Sequence, residues 1–224
     1  MIITENGRDH VKEQLRRACN ALAKTHMVRD IVPDTATFVF LLESPHIQEL
    51  RYGAPVSGSS GASMSRYLFG QAYEQLPLGI IVKKNHEQQL HRPSIDRIGL
   101  MNICNIPMQI TAYNDAGIKE QHNFALQILG KLRVAGIRDY QDDAMHLMQD
   151  ILLENLHKRL HKLFSRQLYI VPCGRFAQAF FAKAAVVSPH WQVLSGIPHP
   201  SYNNWSKPQY QAAITHLQET FRQA

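Results

Sequence analysis

A three-layer α/β sandwich, with helices on both faces of a central, mostly parallel four-stranded sheet, is the fold class this sequence predicts. Three observations predict it. Short continuous apolar runs such as Phe38-Val39-Phe40-Leu41-Leu42 have the length and composition of strands buried on both faces. Segments of helical period separate these runs, and that alternation builds parallel sheets. Three of the four runs end in loops rich in chemically useful residues, and open parallel sheets bind their ligands beyond the carboxyl ends of the strands.

The elements follow in order. From Asp9 to about His26, Val11, Leu15, Cys19 and Leu22 share one face, an amphipathic helix for which Asp9 can serve as cap. Thr35 to Leu42 is the first buried strand, and Gly53 to Gly61 reads as a loop by composition. Met64 to about Tyr73 is expected to be helical, with Tyr67 and Leu68 inward. Gln75 to Pro93 mixes Pro, Lys, Asn, Gln and His without a period and is expected to be a surface excursion. Arg97 to Ile103 is the second buried strand. Gln121 to Leu132 and Asp142 to Phe164 carry helical spacing, the latter through Met145, Met148, Leu152, Leu156 and Leu160, a core stripe. The basic residues along it, His157 to Arg166, form a solvated face or, less simply, a contact for nucleic acid. Gln167 to Val171 is the third strand, Gly174 opens a helix to about Ala185, Trp191 to Leu194 is the fourth strand, and Lys207 to Arg222 is a closing helix with Tyr210, Ile214, Leu217 and Phe221 inward.

The 224 residues fit a single domain, 1–224, without repeat or linker. No apolar run reaches the length of a membrane span, and the N-terminal Glu5, Arg8 and Asp9 are unlike an export signal, so a cytoplasmic monomer with no membrane partner is expected. A net charge of +6 favours polyanionic partners, RNA as well as DNA. Three widely spaced cysteines, Cys19, Cys104 and Cys173, make a disulfide framework, a zinc site and an iron–sulfur cluster poor expectations, so neither metal nor cofactor is expected.

Four blocks at strand ends carry the chemistry. The first is Leu42-Glu43-Ser44-Pro45, continued by Gly53-Ala54-Pro55-Val56-Ser57-Gly58-Ser59-Ser60-Gly61. The others are Leu100-Met101-Asn102-Ile103, Pro172-Cys173-Gly174-Arg175-Phe176-Ala177-Gln178 and His199-Pro200-Ser201-Tyr202. In this order they resemble the motifs of the uracil-DNA glycosylase superfamily. The first is similar to the Gly-Glu-x-Pro-Gly and Gly-x-Pro-Phe-x-Gly-x-x-Gly signature of its iron–sulfur branch, although the cysteines of that branch are missing here.

The resemblance implies a monofunctional, cofactor-independent DNA glycosylase acting on double- or single-stranded DNA. Such an enzyme extrudes a base and hydrolyses its N-glycosidic bond, so it must steady positive charge on the sugar and negative charge on the departing base. Glu43 would align a water and stabilise the sugar; otherwise it accepts loop N–H bonds. In the uracil-specific branch an Asp stands at the position of Ser44, one residue later. A neutral His199 would donate to the base oxygen; otherwise it is a surface histidine, one of twelve. Asn102 would read a pyrimidine edge or cap a loop, with Asn105 a nearby competitor. Gly58, Ser59, Ser60, Gly174 and Ser201 would offer N–H and hydroxyl groups to phosphates, with Arg175 adding charge; otherwise they are turn residues. Tyr202 or Trp205 would wedge into the base stack, or belong to the core.

Two departures bear on substrate. Val56 stands where the family has a stacking Phe, and His46 where uracil-specific members have a crowding Tyr, so the base pocket is expected to be roomier. A base bulkier than uracil follows, such as a 5-substituted or glycosylated pyrimidine, with phage restriction as the implied role. The rivals are repair of uracil or deaminated bases, a base-sensing DNA-binding module without catalysis, and a hydrolase of free nucleosides.

Overall fold

The apolar runs become strands because the sheet is covered on both sides. In the structure, a computed structural model that describes residues 5–136, 140 and 142–224, the chain forms α1 (Glu5–His26), β1 (Phe38–Leu42), α2 (Ile47–Tyr52), α3 (Ser59–Phe69), α4 (Leu78–Glu87), α5 (Pro93–Asp96) and β2 (Ile98–Asn102). It continues through α6 (Ala116–Gln121), α7 (Asn123–Ala135), α8 (Asp143–His161), β3 (Leu168–Pro172), α9 (Arg175–Ala184), β4 (Trp191–Val193) and α10 (Gln211–Gln223). Every strand pair is parallel, in the order β2-β1-β3-β4.

Period-two alternation divides each strand between two apolar layers. Val39, Leu41, Met101 and Ile170 join α1, α7, α8 and α9 on one face; Phe38, Phe40, Leu42, Leu100 and Val171 join α3, α4 and α10 on the other. The result is the three-layer sandwich the sequence predicts. Its Met/Leu stripe on α8 is core: Met145, Met148, Leu152, Leu156 and Leu160 are all buried.

Strand order creates the site. The chain leaves β1 toward β2 on one side and leaves β3 toward β4 on the other, so β1 and β3 flank a topological switch point. A cleft lined by Glu43, Arg175 and Phe176 opens there beyond the strand ends.

Several expectations are corrected. The closing strand is a short edge with Gln192 and Val193 exposed, so only three of the four strands are buried. Asp9 lies inside α1 and caps nothing. The stretch from Gly53 is a loop only as far as Gly58, because α3 begins at Ser59, and α2 and α6 carry no clear period. Residues 75–93 are a surface excursion only in part: α4 (Leu78–Glu87) buries Leu78, Gly79, Val82 and Asn85, while residues 86–93 are exposed. The closing helix starts at Gln211, after a 3-10 turn at Pro208–Tyr210. Among the described residues no helix is long and apolar enough to cross a membrane.

Candidate active site beyond the strand ends

Leu42 pairs with Asn102 across β1 and β2, which sets Glu43 beside Asn102 at the carboxyl edge of the sheet. The ladder runs on past the strands: Ile103 N–H donates to Leu42 O at 2.9 Å and Cys104 N–H to Glu43 O at 3.1 Å. Backbone pairing therefore fixes where Glu43 emerges. A cavity of about 330 Å³ opens above it, lined by Glu43, Ser44, Asn102 and His199. His46, Val56, Gly58, Ser59, Ser60, Ser201 and Tyr202 complete the sequence-predicted residues on its wall. Residues 43 and 199, from opposite ends of the polypeptide, thus share one cavity.

Arg133, near the end of α7, reaches into this wall and its Nε donates to Glu43 Oε1. Burial raises the Glu43 carboxyl above the usual range, and the guanidinium pulls it back down. Gln109, in the amide orientation that satisfies both groups, accepts from Arg133 Nη2 at 3.0 Å. Arg133 was not legible as a site residue. It sits in the last turn of a helix that also carries Gln127 and Lys131, and no local signal ties it to a glutamate ninety positions earlier.

His199 is held by Ser201. The Ser201 backbone N–H, which can only donate, lies 3.2 Å from Nδ1, and the Ser201 hydroxyl lies 2.8 Å from the same nitrogen. Nδ1 is therefore the acceptor, and in the neutral ring the proton sits on Nε2. Burial first, and the nearby Arg133 second, push His199 down to about 4, so the ring is neutral at pH 7.

Gly174 packs under His199. At φ +89° it has the backbone of a glycine, and an added Cβ would stand 2.7 Å from His199 Cβ. Its N–H donates to Ile197 O at 2.8 Å. Gly174 is therefore no phosphate donor, because its one N–H is committed within the fold. Ser201 likewise spends its N–H on His199.

Asn102 forms the floor. The residue is fully buried; its Oδ1 has no partner, and its Nδ2 faces the Glu49 carboxylate without a well-formed hydrogen bond. Leaving Oδ1 unpaired costs about 1–3 kcal/mol unless something occupies the cavity. Its neighbour is Glu49, which also lines the cavity and which sequence reasoning missed. Glu49 Oε1 accepts from Val56 N–H and Oε2 from His46 N–H, each at 2.8 Å, tying the start of α2 to the Val56 loop. The only sequence signal was its place three residues after the helix-capping position His46.

Val56 needs that tether. It is buried with φ +48°, a strained conformation for a β-branched residue. A Cβ at Gly61 would lie 1.7 Å from Val56 O, so only glycine lets α3 approach the loop.

Burial raises Glu49 to about 7, with the Glu43 charge adding to the rise; the two backbone donors and the Asn102 amide oppose it. Protonated Glu49 therefore favours the fold. Its contribution is fully present below about pH 4.5 and is lost as pH rises through about 7. Glu49→Gln should flatten that fall, by on the order of 2 kcal/mol after allowance for residual solvent contact. Melting curves at pH 4.5 and 8 for both proteins check it. His199 has the opposite sign, losing stability as pH falls through about 4, and is common to both.

The rim completes the site. Gly58 caps the eleven-residue α3, whose first N–H groups, at Ser59 and Ser60, have no partners within the helix, and both serines line the cavity. Tyr202 is 88% exposed on left-handed backbone (φ +55°), a projecting ring at the edge. Trp205 is no wedge: it is fully buried, with its indole N–H on Pro198 O at 2.9 Å. Arg175 lies outside this cavity, in an adjoining cleft of about 580 Å³ that Glu43 and Arg133 also line.

Asn105 does not compete with Asn102, since its amide holds Val28 O and Asp30. The basic stripe of α8 is partly structural. Arg159 binds Asp30 and the carbonyls of Asn102 and Ile103, and Arg166 the carbonyls of Pro33 and Ala36. No group of three or more metal-ligating side chains converges among the described residues.

A carboxylate, a neutral imidazole N–H and a buried amide with an unpaired oxygen around one cavity can grip a planar ring by its polar edge. They can also stabilise opposite charges at the two ends of a breaking bond. No protein-family model matches the chain, and no curated protein matches it.

Proposed function

We propose that the chain is a DNA glycosylase of the uracil-DNA glycosylase type, releasing a pyrimidine-type base and leaving an abasic site. One observation carries the reading. Glu43, Asn102 and His199, at or beyond the ends of β1, β2 and β4, line a single cavity whose amide floor holds an oxygen without a partner. In this mechanism the extruded base lies on Asn102, which supplies a donor and an acceptor to its edge. The C1′–N bond breaks with its electrons passing to the base, and His199 Nε2–H donates to the base oxygen where that charge gathers. Ionised Glu43 faces the developing cation at C1′ and orients the water whose oxygen bonds to that carbon. The water's proton is lost to solvent, and the departing base takes up another.

Gly58, Ser59 and Ser60 at the start of α3 are suited to a phosphate on the rim, and Tyr202 to filling the gap left in the stack. An ordinary pyrimidine-stacking Phe is replaced by Val56, and His46 is exposed at the mouth, so a base with a bulky 5-substituent fits the reading. A role against phage DNA bearing such bases follows from that substrate.

A base-sensing module without catalysis is the second reading, favoured by the Arg133 guanidinium that already neutralises Glu43. Duplexes carrying uracil, 5-hydroxymethylcytosine or glucosylated 5-hydroxymethylcytosine separate the two. Abasic sites are expected on at least one bulky base, with no metal added. Release of uracil alone contradicts the substrate; binding without release on every duplex favours the module.

A further inference from the structure

A second cleft, of about 540 Å³, opens at the opposite end of the sheet, beside the residues that begin β1 and β2. Five-residue strands separate the two sites by roughly 15 Å along the strand direction. Three arginines line this cleft: Arg92, Arg97 and Arg222. None pairs with a carboxylate among the described residues, and no acidic side chain lines the cleft. Asp96, next to Arg97 in sequence, is turned toward Asn85 Nδ2 at 2.6 Å and His91.

Arg97 is the fixed member of the three. Its guanidinium stands 4.4 Å from the Phe221 ring centroid and 5.0 Å from that of Phe38, and Nη2 donates to Phe221 O at 2.6 Å. The same contacts leave Nε buried without an acceptor. Three guanidiniums sharing one cleft without a carboxylate among its lining residues suit an anion. Half-buried Phe69 and Tyr73 line the same cleft, and their flat faces suit a planar ring. The volume falls within the roughly 300–1,000 Å³ of small-molecule sites.

We propose that this cleft binds a phosphorylated ring compound of mononucleotide size, its phosphate against the three arginines and its ring on Tyr73. The proposal does not depend on the function assigned to the first cavity. Calorimetric titration of the full chain with orthophosphate, ribose 5-phosphate and each nucleoside 5′-monophosphate tests it. At least one monophosphate is expected to bind about tenfold or more tightly than orthophosphate or ribose 5-phosphate.

Arg92→Ala and Arg222→Ala, both at exposed positions, should each weaken that binding by about tenfold, and Tyr73→Ala should reduce it to the level of ribose 5-phosphate. Asn102→Ala, in the other cavity, should leave it unchanged. Three results overturn the proposal: no heat from any probe at millimolar concentration, equal affinity for orthophosphate, or binding that survives both arginine substitutions and disappears with Asn102→Ala.

Discussion

Glu43→Gln is expected to slow base release by roughly 10²–10⁴-fold while duplex affinity stays nearly unchanged. The amide keeps the volume of the carboxylate and can still accept from Arg133, so the wall of the cavity survives. What is lost is the negative charge facing the sugar, which matters only as the glycosidic bond breaks. An interaction confined to the transition state appears in kcat and leaves binding alone. Single-turnover rates and filter-binding affinities on the same duplex measure the two quantities separately. A melting curve of the variant confirms that Arg133, left without its anion, has not unfolded the site. Equal loss of binding and turnover would mean that Glu43 is structural.

Arg133→Gln tests the electrostatics of the pair and should cost about 10–100-fold near neutral pH. One guanidinium performs two tasks here. It draws Glu43 back toward ionisation against the cost of burial, and it helps hold His199 neutral. Without it, both groups move up. The acid limb of the pH–rate profile, set by ionisation of Glu43, should shift to higher pH, so the variant regains part of its rate as pH rises. Arg133→Lys restores the charge without the planar guanidinium and should recover much of the profile. A uniform loss at every pH, unrelieved by Lys, would make Arg133 a packing residue with no hold on either titration.

The parts of this molecule legible in the sequence are those whose signal is local. Phe38–Leu42, Leu168–Pro172 and Ile98–Asn102 as far as Met101 are continuous apolar runs because helices cover both faces, so composition alone marks them as strands. The strand ends are legible for a related reason: a parallel sheet presents its carboxyl ends together, so Glu43 after β1, Asn102 closing β2 and His199 in the loop after β4 could be grouped before any coordinates.

What stayed hidden depends on distant partners. Glu49 looks like any helix-terminus glutamate until Val56 and His46 are seen to donate to it. Helix α4 carries too short an apolar stripe to stand out, and it is recruited by packing against the sheet layer. Gly174 and Ser201 are the right residues in a different role. Turn chemistry was read from their types, but whether an N–H points at a ligand or at Ile197 and His199 is decided by the tertiary fold.

The central claim is that an extruded nucleotide occupies the cavity between Glu43 and His199. The most direct measurement is a crystal structure of the Glu43→Gln protein with a duplex carrying one bulky 5-substituted pyrimidine. The account predicts that base rotated out of the helix, its polar edge on Asn102, its oxygen facing His199 Nε2, its C1′ beside residue 43 and Tyr202 in the vacated stack. A duplex bound with every base still stacked, or lying against a different face of the protein, would contradict it.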